Sequence, residues 1–373
     1  MPYQARDLKL CDYRDEATEL LARNAGLKNC IISERSNRFE NLFGDVTLRD
    51  LARASLREAG LEIPSDANQL IGRALTTSDF PKILSGVVNK ALDEGFGYAS
   101  QTFLDWVAKK AVPDFKLAEF PRLVPAAELF ECIEDDEIRS LVLAEGAESG
   151  RIKTYAGIGA ISRQALVNDD LGVLQDFGGA LGQTAANTQS KQVYKKLLEN
   201  PALSDGVAMF HTDRDNLISG AGSALSRGSL AGALKVFRTM TDSNGTPLAI
   251  EPKFLLVPPS LEVTAFELCY SDSVPGQTNS AVMNLFKKIG LVPIVEPRLE
   301  SPLFSGSSST AWYLLPDPNI RSVIASLALG DPNKLQPYVK EKAMFERDAT
   351  EYKARIDFGV VPMSPYAVKS EGV

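Results

Sequence analysis

The longest regular pattern in the chain lies between residues 168 and 200. Leu171, Leu174, Gly178, Leu181, Ala185 and Thr188 recur at three- and four-residue steps, the spacing that gathers side chains on one face of an α-helix. The pattern predicts a single helix with Asn168 as its N-cap and Asp169 and Asp170 complementing the positive first turn. Lys195 and Lys196 suit its last turns, and Pro201 stops it. At 1.5 Å per residue, a helix of about 30 residues reaches roughly 45 Å. Gly178, Gly179, Gly182, Ala185 and Ala186 make its useful face thin, which lets another backbone come close but lowers helix propensity. Two roles fit: a central helix buried beneath a sheet, or a rod holding distant parts of a subunit in register.

Upstream, the first hundred residues read as helical pieces around the weakly patterned stretch SERSNRFEN. Thr47 and Asp50 have capping-box spacing ahead of Leu51, Ser55, Leu56 and Ala59, and Gly60 ends that helix. From Pro81, a broad stripe of Ile83, Leu84, Val87, Val88, Ala91 and Leu92 predicts a second helix, stopped by the glycines of EGFGY. Phe103, Trp106 and Val107 predict a short helix before Pro113. Residues 119–162 then change character. Pro121 and Pro125 interrupt helix formation, and LFECI and IRSLVLA predict strands around the acidic run EDDE. AEGAESG predicts a loop. RIKTYAGIGAIS predicts a strand with Ile152, Thr154, Ala156, Ile158 and Ala160 on one side and Arg151, Lys153 and Tyr155 on the other. Such strands make a hairpin, either folded onto its own core or projecting, in which case its apolar side and edge need a partner.

Downstream, Ser226 is placed to cap a helix carrying Leu230, Leu234 and Phe237, and TDSNGTPL predicts a turn. FLLV predicts a strand ending at Pro258, and PPSLEVTAFELCY starts a helix with proline in its permitted first turn. LVPIVEP, AWYLLP and VIASLAL are short apolar segments between loops. TEYKARIDFGVV sets Tyr352, Ala354, Ile356 and Phe358 against Lys353, Arg355 and Asp357, the alternation of a half-buried strand. Helices interspersed with strands in this order predict an α+β body.

Charge and chemistry narrow the function. Forty Lys and Arg against 48 Asp and Glu give a formal charge of −8, so there is no global electrostatic reason to coat nucleic acid. No run approaches the ~18 apolar residues of a membrane span, and the start MPYQARDLKL holds no signal-peptide core. Cys11, Cys30, Cys132 and Cys269 form no CxxC pair and read as free thiols. His211 is the only histidine; with Asp213 and Asp215 nearby it fits a mobile or capping loop, since no second histidine completes a zinc set and no GxSxG turn presents a serine. A hydrolase using Cys269 or a serine with His211 is the alternative from another class. Glu134, Asp135, Asp136 and Glu137 lack EF-hand spacing and read as a solvated loop, or as acids that meet basic groups on a neighbouring subunit. SGAGSALSRGS lacks the lysine of a phosphate loop, and Trp106 and Trp312 sit in apolar stretches without basic interleaving. No catalytic, cofactor-binding or metal-binding residue is predicted.

YAGIGAISRQALVNDDLG, the helix after it, MFHTDRDNL, PKFLLVPPSLEVTAFEL, VPIVEPRL with AWYLLPDP, and EYKARIDFGV together resemble the major capsid proteins of tailed bacteriophages with the Hong Kong 97-type fold. The likeness is to the Mu-like, prohead-protease-associated head subunits and covers most of residues 115–365. It implies an N-terminal arm and helical region over 1–115, an extended hairpin loop over 116–165 and a spine helix with peripheral domain over 166–253. An axial domain over 254–330 and a return to the peripheral domain over 331–373 complete the expected order. The resemblance also implies hexamers and pentamers in an icosahedral shell around double-stranded DNA, assembled in the host cytoplasm as a procapsid and carried in the virion. Portal and scaffold or prohead protease are the implied partners, with DNA contacted weakly and without sequence specificity. No enzymatic turnover, cofactor or membrane is implied. A decoration or tube protein would share the absence of an active site. Net acidity suits the lining of such a container, because a strongly basic wall would clamp the packaged phosphates.

Overall fold

Polar caps and buried stripes set the helices of the first hundred residues. The computed structural model describes residues 10–28, 47–123, 144–168, 171–241, 245–272, 283–343 and 349–373. SERSNRFEN, LFECI, all of IRSLVLA but its last residue, the EDDE run, Asp169 and Asp170 therefore lie outside the described residues. Helix α1 spans Leu10–Asn24. Helix α2, Leu48–Glu58, opens on the expected capping box: the Thr47 side chain accepts from the Asp50 backbone, and the Asp50 carboxylate accepts from the Thr47 backbone. Asp66 caps α3, Ala67–Leu75. Helix α4, Phe80–Tyr98, buries the expected stripe but runs on through EGFGY instead of stopping there. Gly95 lies on its buried face, where a close neighbour needs the missing side chain. The helix expected around Phe103 is one 3₁₀ turn, Thr102–Asp105, that leads directly into strand β1, Ala108–Val112.

Strands β2, Ala118–Leu123, and β3, Ala144–Gly150, pair antiparallel, with Ala118 opposite Gly150 and Phe120 opposite Glu148. AEGAESG is thus a strand, not the predicted loop. Its backbone is satisfied across β2, and Gly150 sits where a Cβ would fall 1.8 Å from Val361 Cγ2. Strand β4, Lys153–Ser162, follows, and Ser162 caps the short helix α5, Arg163–Val167. Asn168 consequently ends α5 as its C-cap and does not begin the long helix. That helix, α6, runs for 29 residues from Leu171 to Glu199. After it come β5 (Leu217–Ile218), α7 (Arg227–Thr239), β6 (Pro252–Val257), α8 (Glu262–Tyr270), α9 (Leu285–Ile289), β7 (Val292–Val295) and β8 (Trp312–Pro316). β9 (Ile324–Leu329), β10 (Tyr338–Ala343), β11 (Ala349–Pro362) and β12 (Val368–Ser370) complete the order.

Backbone contacts divide the chain into two units, one of residues 1–100, 154–188 and 335–357, the other of 101–153, 189–334 and 358–373. The first unit packs α1 to α4 with the start of α6, around Leu21, Phe80, Leu84, Val88, Leu174 and Tyr352. The buried positions on α6 here are Leu174, Gly178, Gly182 and Ala186, a strict four-residue step. Leu181, Ala185 and Thr188, expected on that face, are half-buried at its side, because the glycines mark where α4 comes closest. A Cβ on Gly178 would lie 2.5 Å from Ala91 Cβ, one on Gly182 2.1 Å from the Leu92 carbonyl oxygen, and one on Gly95 2.3 Å from the Gly179 carbonyl oxygen. The thin face predicted for this helix meets another helix, not a sheet.

In the second unit, five strands follow the order β5-β12-β8-β6-β7, with β6 parallel to β7 and antiparallel to β8. Helices α7 and α8 cover it with Leu230, Phe237, Ala265 and Cys269, against Leu255, Trp312 and Leu314. Here too β1 pairs parallel with β9, and residues 358–362 of β11 pair antiparallel with β9. The earlier part of β11 pairs with β10 in the first unit. Along β11 Tyr352, Ala354, Ile356 and Phe358 are buried, as their alternation predicts. Ser226 and Ser229 form a capping box on α7.

Candidate functional site

The residues singled out for chemistry are used structurally. The Nδ1 of His211 accepts the Asp213 backbone N–H at 3.2 Å and so caps the 3₁₀ turn Thr212–Arg214, while Asp215 closes that turn in the left-handed region at φ 54°. Of the mobile or capping loop that the sequence pointed to, the structure shows the capping one. Cys269 lies on the inner face of α8 among Ala265, Leu268 and Trp312, and burial pushes its thiol up to about 11. A thiol held protonated is a poor nucleophile, and no hydrogen bond joins it to His211 among the described residues. Neither residue is presented as half of a catalytic pair.

Arg214 holds the loop after α6. Its Nη2 donates to both Asp205 carboxylate oxygens at 2.6 Å, and its Nε donates to the Ala208 carbonyl at 3.0 Å. Burial alone would raise the Asp205 carboxyl, but the Arg214 hydrogen bond and charge prevail and hold it below the usual carboxylate range. Asn200, itself left-handed at φ 47°, ties the end of α6 to the same loop: its side chain accepts from Phe210 N at 2.7 Å and donates to Phe210 O at 2.9 Å. A cleft of about 920 Å³ opens beside this loop, walled by Asp213, Asp215, Thr239 and Tyr366. Its acids and hydroxyls are mixed with Arg122 and Arg214, an arrangement that braces a loop and gathers no set of metal ligands. Among the described residues no cluster of three His, Cys, Asp or Glu is arranged to hold a metal ion.

Near the end of α6 a directed chain of hydrogen bonds is buried. Trp106 Nε1 donates to the Tyr194 hydroxyl at 3.4 Å, and that hydroxyl pairs with Thr102 Oγ1 at 2.7 Å. Thr102 donates to the Glu296 carboxylate, which Arg298 engages from its Nη1 at 2.8 Å and its backbone N–H at 3.0 Å. Because Thr102 spends its hydrogen on Glu296, Tyr194 is the donor to Thr102, and Trp106, Tyr194, Thr102 and Glu296 each have a partner within this network. Sequence reasoning missed this network, since a lone Thr, Tyr and Glu in three separate segments carry no common motif.

The fold leaves some apolar side chains outward. Ile152, just before β4, is buried, but Ala156, Ile158 and Ala160 on the strand, its expected companions, are exposed, with Ile158 at 64%. The opposite side is the one covered: Tyr155 and Gly159 are half-buried and Ile161 is buried. Gly159 sets this side inward, because a Cβ there would lie 2.6 Å from the Phe177 ring of α6. On α8, Val263, Phe266 and Tyr270 share one outward face at helical spacing, with Val263 70% exposed. No helix among the described residues is long and apolar enough to cross a membrane.

A model of a family described as phage capsid protein matches residues 146–369. No match was found among curated proteins. Among solved structures, the chain is similar to the virus-like particle from Pyrococcus furiosus, with 12% identity and a TM-score of 0.45 over 76% of this chain and 98% of that one. It is also similar to the procapsid of bacteriophage JBD30, with 15% identity and a TM-score of 0.44 over 79% and 76%. The holo-SrpI encapsulin complex from Synechococcus elongatus PCC 7942 gives 12% identity and a TM-score of 0.46 over 74% and 89%. Likeness at this level adds nothing to what the family match establishes.

Proposed function

This chain belongs to the phage capsid protein family, and we propose that it is the major head subunit, whose copies form hexamers and pentamers of an icosahedral shell around double-stranded DNA. A capsid protein is a component of the virion; assembly in the host cytoplasm, with a portal and a scaffold or prohead protease, belongs to the same proposal. Its architecture on this reading is Hong Kong 97-type and Mu-like. Helix α6 is the spine, the β2–β3 pair is the root of the extended hairpin, residues 254–330 are the axial domain, and 331–373 return to the peripheral domain.

One observation carries the reading: β4 turns its glycine side to its own helix and its apolar side, Ala156, Ile158 and Ala160, outward. Covering a side chain such as Ile158 gains roughly 1.5–3 kcal/mol. A gain of that size is small for one contact and large when every copy repeats it around a closed ring. The role needs no turnover, and the buried Cys269 and capping His211 agree with that. Electron microscopy of the purified protein over a range of salt should show capsomers, sheets, tubes or closed shells. Ile158→Glu should leave the melting temperature unchanged and suppress those assemblies. A wild-type protein that stays monomeric at every concentration and ionic strength would overturn the reading.

A further inference from the structure

Three cations of the second unit line one cleft without an acid to match them. Ile152 is buried with Val361, so Arg151 and Lys153 on either side of it turn the other way and are exposed. Both line a cleft of about 510 Å³, and Lys196, on the last turns of α6, lines it too. The ground beneath them is close-packed. A Cβ on Gly359 would lie 2.5 Å from the Arg151 carbonyl oxygen, so backbone rests directly on backbone there. Glu148 is the only acid lining the cleft among the described residues. It is buried, and its Oε1 already accepts from Ser204 N at 2.9 Å and Ser204 Oγ at 2.8 Å. Other cations of the unit are matched: Arg214 with Asp205 at 2.6 Å, Lys253 with Asp317 at 2.6 Å, and Lys195, next to Lys196, with Glu199 at 3.6 Å. Arg151, Lys153 and Lys196 make no ion pair among the described residues.

We propose that this cleft binds a run of phosphate groups, at a site complete within one copy of the chain. A guanidinium forks onto two oxygens of one phosphate, and an ammonium meets the next as a point charge. One arginine flanked by two lysines therefore suits an anion whose charged oxygens lie close together. A cleft of about 510 Å³ has the size of a small-ligand site and suits several linked phosphates better than one ion. The chain as a whole carries −8 and repels such an anion, so attraction is confined to this cleft. Salt screens the distant acids over about 8 Å at physiological strength and weakens contacts inside the cleft less. Two sources offer the same chemistry: a free oligophosphate, and the phosphodiester backbone of the duplex that the proposed shell encloses. Only the second rests on the capsid reading. One such cleft per copy would hold a strand at single points along an otherwise acidic wall.

Calorimetric titration of the purified full-length protein with sodium tripolyphosphate, in a phosphate-free buffer, tests the site. The wild type should bind one tripolyphosphate per chain. Arg151→Gln, Lys153→Gln and Lys196→Gln should each weaken that binding about tenfold, with thermal melts establishing that each variant is folded. Lys110→Gln, which alters an exposed cation of β1 outside the cleft, should leave it unchanged. Equal weakening by Lys110→Gln would mean general attraction and overturn the site. So would three cleft variants that bind as the wild type does, or a wild type that binds neither tripolyphosphate nor a short DNA duplex. The duplex, followed by fluorescence anisotropy, separates the two sources. A log–log salt slope on the order of −2.7, made shallower by about 0.9 in each cleft variant, assigns the cleft to nucleic acid. Tripolyphosphate binding without duplex binding assigns it to free oligophosphate. Cleft variants that lose assembly but keep tripolyphosphate binding would show that the cations serve another copy of the protein, and the proposal fails. A protein that never assembles yet binds tripolyphosphate at these residues removes the capsid reading and leaves the site standing.

Discussion

The two ends of helix α6 solve packing in opposite ways. In the first unit its buried positions are Leu174, Gly178, Gly182 and Ala186, three of them nearly without side chain. In the second unit they include Val193, Tyr194, Leu197 and Leu198, which fill a core with Phe103, Trp106 and Phe210. Glycine in a helix interior costs about 1 kcal/mol against alanine. The near end accepts that cost because α4 lies against it backbone to backbone, where dispersion contacts are dense and a single methyl has no room. At the far end bulk is needed instead, and the Trp106 and Tyr194 rings meet with centroids 5.9 Å apart at 54°. One continuous helix thus reads as thin or thick according to what covers it.

The harshest way to break this contrast is Tyr194→Ala. It removes a fully buried aromatic together with the hydroxyl between Trp106 and Thr102. A loss of about 3–5 kcal/mol is expected, read by denaturant unfolding followed through tryptophan fluorescence, since Trp106 and Trp312 both belong to the second unit. A loss under about 1 kcal/mol would mean that the far end is not held by bulk. Gly182→Ala comes next. The added methyl would sit 2.1 Å from the Leu92 carbonyl oxygen and 2.6 Å from Phe96 N, neither of which is the end of a flexible side chain. Even after the gain in helix propensity, about 2 kcal/mol should be lost. Faster hydrogen exchange in α4 and the first half of α6 would report it, and unchanged exchange would deny the close approach.

Much of this architecture can be read in the residues, and its failures share a cause. The alternation along β11, the Thr47–Asp50 capping box and the Ser226 cap are local devices, each decided within a few residues, and each stands where its pattern puts it. AEGAESG looked like a loop because two glycines and two glutamates disfavour a strand; pairing with β2 and the burial of Glu148 against Ser204 override that. For β4 the sequence left two orientations open, and Gly159 decides between them by marking the side on which Phe177 lies. Periodicity gave α6 its length but set its buried face one position off, since the approach of α4 fixes the rotation.

Alkaline titration tests the far end of α6 by chemistry and not only by bulk. Burial, and then the charge of Glu296, keep the Tyr194 hydroxyl protonated well above its ordinary value of 10.0. In the unfolded chain the same group ionises from about pH 10. Its contribution to stability is therefore complete below that pH and is lost as pH rises through and beyond it, because only the unfolded state releases the proton. Burial shifts Tyr313 in the second unit and Tyr352 in the first in the same direction, so the alkaline slope is shared. Tyr194→Phe should remove about 1.4 kcal/mol per pH unit of that slope, visible as a shallower fall of the unfolding midpoint above pH 10. An unchanged slope would mean that Tyr194 already reaches solvent.

The smallest effect is expected at Gly179, and it sharpens the contrast most cleanly because its sign is reversed. Gly179 is next to Gly178 and three residues before Gly182, yet a Cβ there would meet nothing within 4 Å. Only its backbone is in close contact, with Gly95 across from it. Gly179→Ala should therefore keep the helix-to-helix approach and recover helix propensity, raising stability by about 0.5–1 kcal/mol. Gly95→Ala, aimed at the same contact from the other helix, should lower it instead, since that methyl would lie 2.3 Å from the Gly179 carbonyl oxygen. The pair is read from thermal midpoints by circular dichroism. If both substitutions destabilise alike, the glycines are serving general flexibility; opposite signs place the requirement on one side of one contact.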